Sequence, residues 1–167
     1  MPDTKTNLMN AFGGESKAAM KYLVYAAKAD DEGQPQVAKL FRAASRAETI
    51  HAINHLKAAS FISTTEQNLH DAIEGEHDEF TNMYPIMIEK SRSDGDKVAE
   101  ASLFRANQVE KTHHAMYKAA AASIKDGEIL ELKPVYVCEV CGNTISGPLP
   151  DLCSVCGAVK KAFFEIK

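Results

Sequence analysis

The sequence predicts a mainly α chain, a four-helix bundle followed by a small β/loop module that binds metal. Three observations carry this. Four segments repeat apolar residues at helical spacing. Five glutamates and several histidines interrupt those apolar stripes. All four cysteines fall in the last thirty residues, as two Cys-x-x-Cys pairs.

The first helix is expected from about Thr6 to Asp31, on the stripe Leu8, Ala11, Glu15, Ala18, Tyr22, Tyr25, with Gly33 and Pro35 closing it. The second begins near Pro35, whose missing N–H costs nothing in a first helical turn. Its stripe is Val37, Leu40, Phe41, Ala44, Glu48, His51, His55, and it stops near Ser60. The third follows Ser63, Thr64 and Thr65, any of which can cap it. It reads Leu69, Ala72, Glu76, Glu79, Met83, Met87 and ends at the Ser-Asp-Gly turn near Gly95, with Pro85 expected to kink it or remove one hydrogen bond. The fourth reads Ala99, Leu103, Ala106, Glu110, His113, Tyr117, Ala120, Ile124 and stops near Gly127. Four amphipathic helices of roughly 25 residues each argue for a bundle. After Gly127 the texture changes: Pro134 breaks any helix, Val135-Tyr136-Val137 reads as a short strand, and glycines and prolines crowd the cysteines. The expected domains are 1–130 and 131–167, with the boundary inside 127–135.

Bulk properties exclude several function classes. A net charge of -4 over 167 residues gives no reason to expect a nucleic-acid or anionic-membrane partner. The start, MPDTKTNLMNAF, has no basic segment leading into an apolar run, and no stretch approaches the ~20 apolar residues that span a bilayer. The expected location is the cytoplasm, where a cysteine cluster more often binds metal than forms disulfides.

The glutamates Glu15, Glu48, Glu76, Glu79 and Glu110 lie on the apolar stripes, not opposite them. One such residue often snorkels or pairs with Lys or Arg. Five converging carboxylates cannot all stay ionised in a core without cations, since each buried charge costs several kcal/mol. Glu48 and His51 form Glu-x-x-His, and Glu110 and His113 form it again, so each pair shares a helix face and can reach one metal. Two such pairs plus a glutamate from each other helix make the ligand set of a carboxylate-bridged di-iron or di-manganese bundle. The absence of thiolate there argues against structural zinc. Glu15 precedes Glu48 by 33 residues and Glu76 precedes Glu110 by 34, a near-repeat that suggests two related helical hairpins. By spacing alone His114 can replace His113, while His55 and His77 read more simply as solvated or structural residues. Tyr22 and Tyr84 either point toward the metals or only fill the core.

Cys138-x-x-Cys141 and Cys153-x-x-Cys156 have metal-knuckle spacing for tetrahedral sulfur coordination. Gly142 and Gly157 follow the second cysteine of each pair, where the lack of Cβ lets backbone N–H groups approach the thiolates. Spacing does not separate iron from a structural zinc ribbon. The redox-capable bundle beside it favours iron, with zinc as a substitute the thiolates also accept.

Together, AFGGES around Glu15, the AETIH and VEKTH pairs, GEHDEFTNMYP and the closing VCEVCG…LCSVCG resemble the rubrerythrin family, in that family's order and over nearly the whole chain. The resemblance implies a ferritin-like di-iron bundle with two iron ions, then a rubredoxin-like domain with one iron held by Cys138, Cys141, Cys153 and Cys156. It implies that Glu48 and Glu110 bridge the metals, that Glu15 and Glu79 bind one iron, and that Glu76 and His113 bind the other. The resemblance further implies that one iron exchanges a histidine for a glutamate on oxidation, with His51 and Glu79 the matching residues, and that Tyr22 and Tyr84 hydrogen-bond ligands. Asn143 stands where an aromatic is common and Ser154 where a proline is common, two departures that bear on the module's packing and reduction potential.

The activity implied is reduction of hydrogen peroxide to water in oxidative-stress defence. No glycine-rich dinucleotide fingerprint follows a strand, so electrons are expected from rubredoxin or an NAD(P)H-dependent reductase. The alternatives are a ferroxidase or iron-handling protein, against which the tetracysteine relay argues, and a zinc-ribbon interaction module on a structural bundle. A ferritin-like bundle also needs a crossover the length of its helices, ~37 Å at ~1.5 Å per residue. The connection from about Ser60 to Thr65 reaches only ~20 Å. A helix-swapped homodimer is therefore expected, in competition with a plain up-down-up-down bundle.

Overall fold

The computed structural model describes residues 2–128, 130, 131 and 133–167. It contains two compact units, Met1–Ser63 and Thr64–Lys167, each taken by itself.

The first unit is a helical hairpin of α1 (Thr4–Asp31) and α2 (Pro35–Ala58). Asp3 caps α1 by accepting the Thr6 N–H at 2.7 Å. Gly33 adopts φ +71° just past its end, a conformation that suits a residue without Cβ, and Pro35 opens α2. The seam is built from small residues: Ala19, Ala26, Ala29, Ala38 and Ala52 are buried, with Ala38 fully so. Small side chains let the helices approach closely, and buried Ser45 donates its hydroxyl to the Ala19 carbonyl across the seam at 2.9 Å. Phe41 packs on Ala26, Ala29 and Ala38, with Tyr25 and Tyr22 against its ring at 5.5 and 6.1 Å. A seam this narrow leaves other apolar side chains uncovered. Leu23, Leu40, Ile50 and Ile53 remain 44–70% exposed.

The second unit opens with α3 (Thr65–Asp78), and Thr64 is its cap, its hydroxyl accepting the Gln67 N–H at 3.3 Å. The third helix read from sequence is not continuous. A π-helical turn at Glu79–Met83 separates α3 from α4 (Tyr84–Ser93). Pro85 has no N–H to give the preceding turn, and the Tyr84 N–H instead reaches back five residues to the Glu79 carbonyl. The bond that Pro85 is expected to remove is absent, and the ladder around it is widened to a π turn. α5 (Lys97–Lys125) starts on Asp96, whose carboxylate accepts the Val98 and Ala99 N–H groups at 3.1 and 2.9 Å.

The chain closes with a three-stranded antiparallel sheet of order β2-β1-β3, formed by β1 (Val135–Cys138), β2 (Thr144–Ser146) and β3 (Phe163–Ile166). Tyr136 pairs with Ile145 on one side and Glu165 on the other. The stretch where the sequence places a domain boundary, 127–135, includes Ile129 and Leu132, which lie outside the described residues. The compact units divide the chain elsewhere and place the cysteine module in one unit with α3, α4 and α5. Among the described residues, no helix is long and apolar enough to cross a membrane.

Candidate metal centres

Each unit gathers one carboxylate/imidazole trio. In the first, Glu15 on α1 meets Glu48 and His51 on α2, with their ligand atoms all within 4.8 Å of one another. His51 Nδ1 lies 2.8 Å from Glu48 Oε2, and the His51 side chain is 53% exposed.

In the second, Glu76 on α3 meets Glu110 and His113 on α5. His113 Nδ1 lies 2.8 Å from Glu110 Oε2 and 3.8 Å from Glu76 Oε1. Burial, a hydrogen bond with Glu110 and the charges of Glu110 and Glu79 push Glu76 up to about 7. Burial, then Glu110 and Asp78, raise Glu79 against an opposing pull from His113. The Tyr84 phenol is raised by burial and by Glu110, Glu79 and Glu76, so it stays a protonated donor beside the carboxylates. A carboxylate cluster that retains a proton near neutral pH is a donor set in which a cation replaces that proton. The chemistry fits iron.

The four cysteine thiols stand together, with Sγ–Sγ separations of 3.7 Å for Cys138–Cys156 and 3.6 Å for Cys141–Cys153. A disulfide needs ~2.05 Å, and the cysteines are free. A tetrahedron with ~2.3 Å metal–sulfur bonds has edges of ~3.8 Å, so the spacing fits one iron, and zinc equally. Burial works against the Cys153 thiolate, but the Cys156 and Val155 N–H groups and the neighbouring thiols outweigh it and pull it down to about 7. Burial pushes Cys141 up. Backbone N–H groups do reach the thiolates beside the two glycines: Asn143, directly after Gly142, donates to Cys141, and Ala158, directly after Gly157, donates to Cys156. The Gly142 and Gly157 N–H groups donate to the Cys138 and Cys153 carbonyls at 2.8 and 2.9 Å. What requires glycine there is φ of +80° and +74°, since an added Cβ would meet nothing within 4 Å. Asn143 is buried, and its carbonyl accepts the Cys138 N–H at 2.9 Å, while Ser154 is exposed.

The structure thus brings together ten of the eleven metal-ligand candidates. Glu79 stays outside the second trio, at the first position of the π turn, although its charge is felt by Glu76 and Tyr84. His114 points elsewhere, into an aromatic group with His77 at 5.6 Å and Phe80 at 5.3 Å. His55 is half-buried one turn beyond His51. Tyr22 lies in the aromatic group of the first unit, 6.2 Å from Tyr25. Sequence reasoning missed Thr144, whose hydroxyl oxygen lies 3.0 Å from His113 Nε2, and it missed Asn107, buried one turn before Glu110 with no partner for its Oδ1. No local pattern signals either.

The rubrerythrin family model matches residues 6–121. Rubrerythrin-2 of Clostridium acetobutylicum is 35% identical over 170 residues, covering 93% of this chain and 92% of that protein. The rubrerythrin of Nitratidesulfovibrio vulgaris is 29% identical over 179 residues, covering 98% and 93%. Among solved structures, the mixed-valence state of nigerythrin superposes with a TM-score of 0.59 at 28% identity, over 99% of this chain and 88% of that one. The trios and the four thiolates fit the complement of two bundle irons and one rubredoxin-like iron. Ferritin-like helices bearing Glu-x-x-His pairs, followed by a tetrathiolate sheet module, place this chain in the rubrerythrin family, as a di-iron oxidoreductase associated with oxidative stress.

Proposed function

We propose that the chain is a non-haem di-iron peroxidase that reduces hydrogen peroxide to water in the cytoplasm. Two electrons and two protons convert one peroxide to two waters. The observation that carries this reading is the presence, in one chain, of two carboxylate/imidazole trios and a tetrathiolate site of metal-binding size. Storage or transfer of iron needs no such built-in relay.

Domains 1–130 and 131–167 would then act as catalyst and relay. Iron, when bound, supplies the redox electrons and Lewis acidity for O–O cleavage. The chain's own residues do the rest. Glu48 and Glu110 are the proposed bridging carboxylates, with Glu15 and Glu79 at one ion and Glu76 and His113 at the other. In the metal-free chain Glu76 keeps a proton up to about 7, and a bound ion would displace it. His51 and Glu79 are the proposed pair of which one would replace the other at one ion, Glu79 standing at the first position of the π turn. Tyr84, and Tyr22 by analogy, are proposed to donate hydrogen bonds to ligand oxygens. Rubredoxin or an NAD(P)H-dependent reductase would feed the thiolate site.

The chain is also proposed to form a swapped homodimer. The connection between α2 and α3 has residues 59–64 only, about 20 Å of reach. α2 itself runs about 36 Å. The exposed apolar faces of the first unit support cover by another copy.

The test is turnover by the iron-loaded chain with a reductase. Fast peroxide consumption with water as product supports the proposal; oxygen-driven iron uptake without peroxide turnover overturns it in favour of a ferroxidase.

A further inference from the structure

We propose that Thr144 is a positioning residue for His113, holding its ring from the cysteine module so that Nδ1 faces Glu76 and Glu110. The inference rests on the reading of His113 as a metal ligand.

The geometry is a chain of three groups. His113 Nε2 lies 3.0 Å from Thr144 Oγ1, and Thr144 Oγ1 lies 3.2 Å from the Gly142 carbonyl oxygen, next to Cys141. A threonine hydroxyl has one proton to donate and lone pairs to accept. The Gly142 carbonyl can only accept, so the hydroxyl proton goes to it, and Thr144 then accepts from His113 Nε2–H. With Nε2 as the donor to Thr144, Nδ1 is left to face Glu110 at 2.8 Å and Glu76 at 3.8 Å, where a proton holds the contact in the metal-free chain and a cation would take its place. Ligating histidines characteristically use their second nitrogen in this way, and the partner fixes both tautomer and ring orientation.

The support is also one-sided. His51, the matching histidine of the first unit, has only Glu48 as a hydrogen-bond partner among the described residues, and its side chain is twice as exposed as that of His113, 53% against 27%. Within the second unit, the cysteine module reaches His113 through Thr144. β2 carries Thr144 three residues beyond Cys141, so the same strand that follows the thiolate loop anchors the imidazole.

The test uses the full-length chain with ferrous iron under anaerobic conditions, competed against a chelator. Thr144→Val is expected to weaken one of the two bundle ions by roughly 10–100-fold. Thr144→Ser, which keeps the hydroxyl, is expected to restore wild-type affinity, and the Fe–thiolate absorption is expected in both variants. Undiminished affinity in Thr144→Val, or an equal loss in both variants, overturns the proposal. A second measurement needs no variant: ¹⁵N chemical shifts of His113 in the zinc-loaded wild-type chain should show a protonated Nε2 and a zinc-bound Nδ1. A protonated Nδ1 overturns the proposal. Failure of the underlying ligand reading looks different, because the unsubstituted chain would then take up no bundle iron at all.

Discussion

Glu110 Oε2 lies 2.8 Å from His113 Nδ1 across a single helical turn, and Glu48 Oε2 stands at the same distance from His51 Nδ1. Spacing of three residues puts both groups on one helix face, so each Glu-x-x-His pair is set by local geometry before any tertiary contact forms. The pairs should be equally indispensable. Glu48→Gln and Glu110→Gln keep side-chain shape but lose the anion. Each is expected to weaken bundle-iron binding by at least roughly 10–100-fold, read by iron analysis after gel filtration. Full retention in either variant would remove that residue from the ligand set.

Glu76 makes the metal-free chain pH-sensitive. Its carboxyl sits at about 7 against an ordinary value of 4.5, so the folded state holds more protons between those values. Stability is present in full below about 4.5 and is lost as pH rises through about 7. The Tm of the metal-free chain should fall across that window, and Glu76→Gln should flatten its contribution. Iron affinity should rise over the same range as the proton is displaced. A Tm profile unchanged by the substitution would contradict this.

The thiolate site should be separable from the bundle. Cys141→Ser is expected to abolish the visible Fe–thiolate absorption while the bundle keeps its iron. Peroxide turnover driven by a reductase should fall by more than about tenfold, whereas turnover with a small chemical reductant should survive. Zinc substitution at the cysteines should give the same result, because zinc fits ~2.3 Å bonds to sulfur but carries no electrons.

The seam between α1 and α2 should tolerate little added volume. Ala38 is fully buried between the helices, and Ala38→Leu is expected to cost about 1–3 kcal/mol in denaturant unfolding. Ser45→Ala removes the bond to the Ala19 carbonyl and should cost about 0.5–1.5 kcal/mol.

The swapped dimer turns on the reach of residues 59–64. Inserting roughly twelve Gly/Ser residues there would lengthen the connection beyond the ~36 Å run of α2. Light scattering should then show monomers that still hold bundle iron. An unmodified chain that is already monomeric with both bundle ions would sink the swap.

Much of this protein was legible in its sequence because the relevant signals are local. Helical period, Pro35 at the start of α2, the Glu-x-x-His spacing and the paired cysteines each depend on residues within a turn or two of one another. Tertiary structure decided what local spacing leaves open. Adjacent residues on a helix point about 100° apart, so His113 and His114 are equivalent until packing sets the helix phase; His114 then joins Phe80 and His77, and His113 faces Glu76. The π turn at Glu79–Met83 depends on how the backbone re-pairs around Pro85. The bond between His113 and Thr144 spans 31 residues and joins a helix to a strand. No sequence period encodes such a contact, because it exists only once the sheet of the cysteine module is seated on α5.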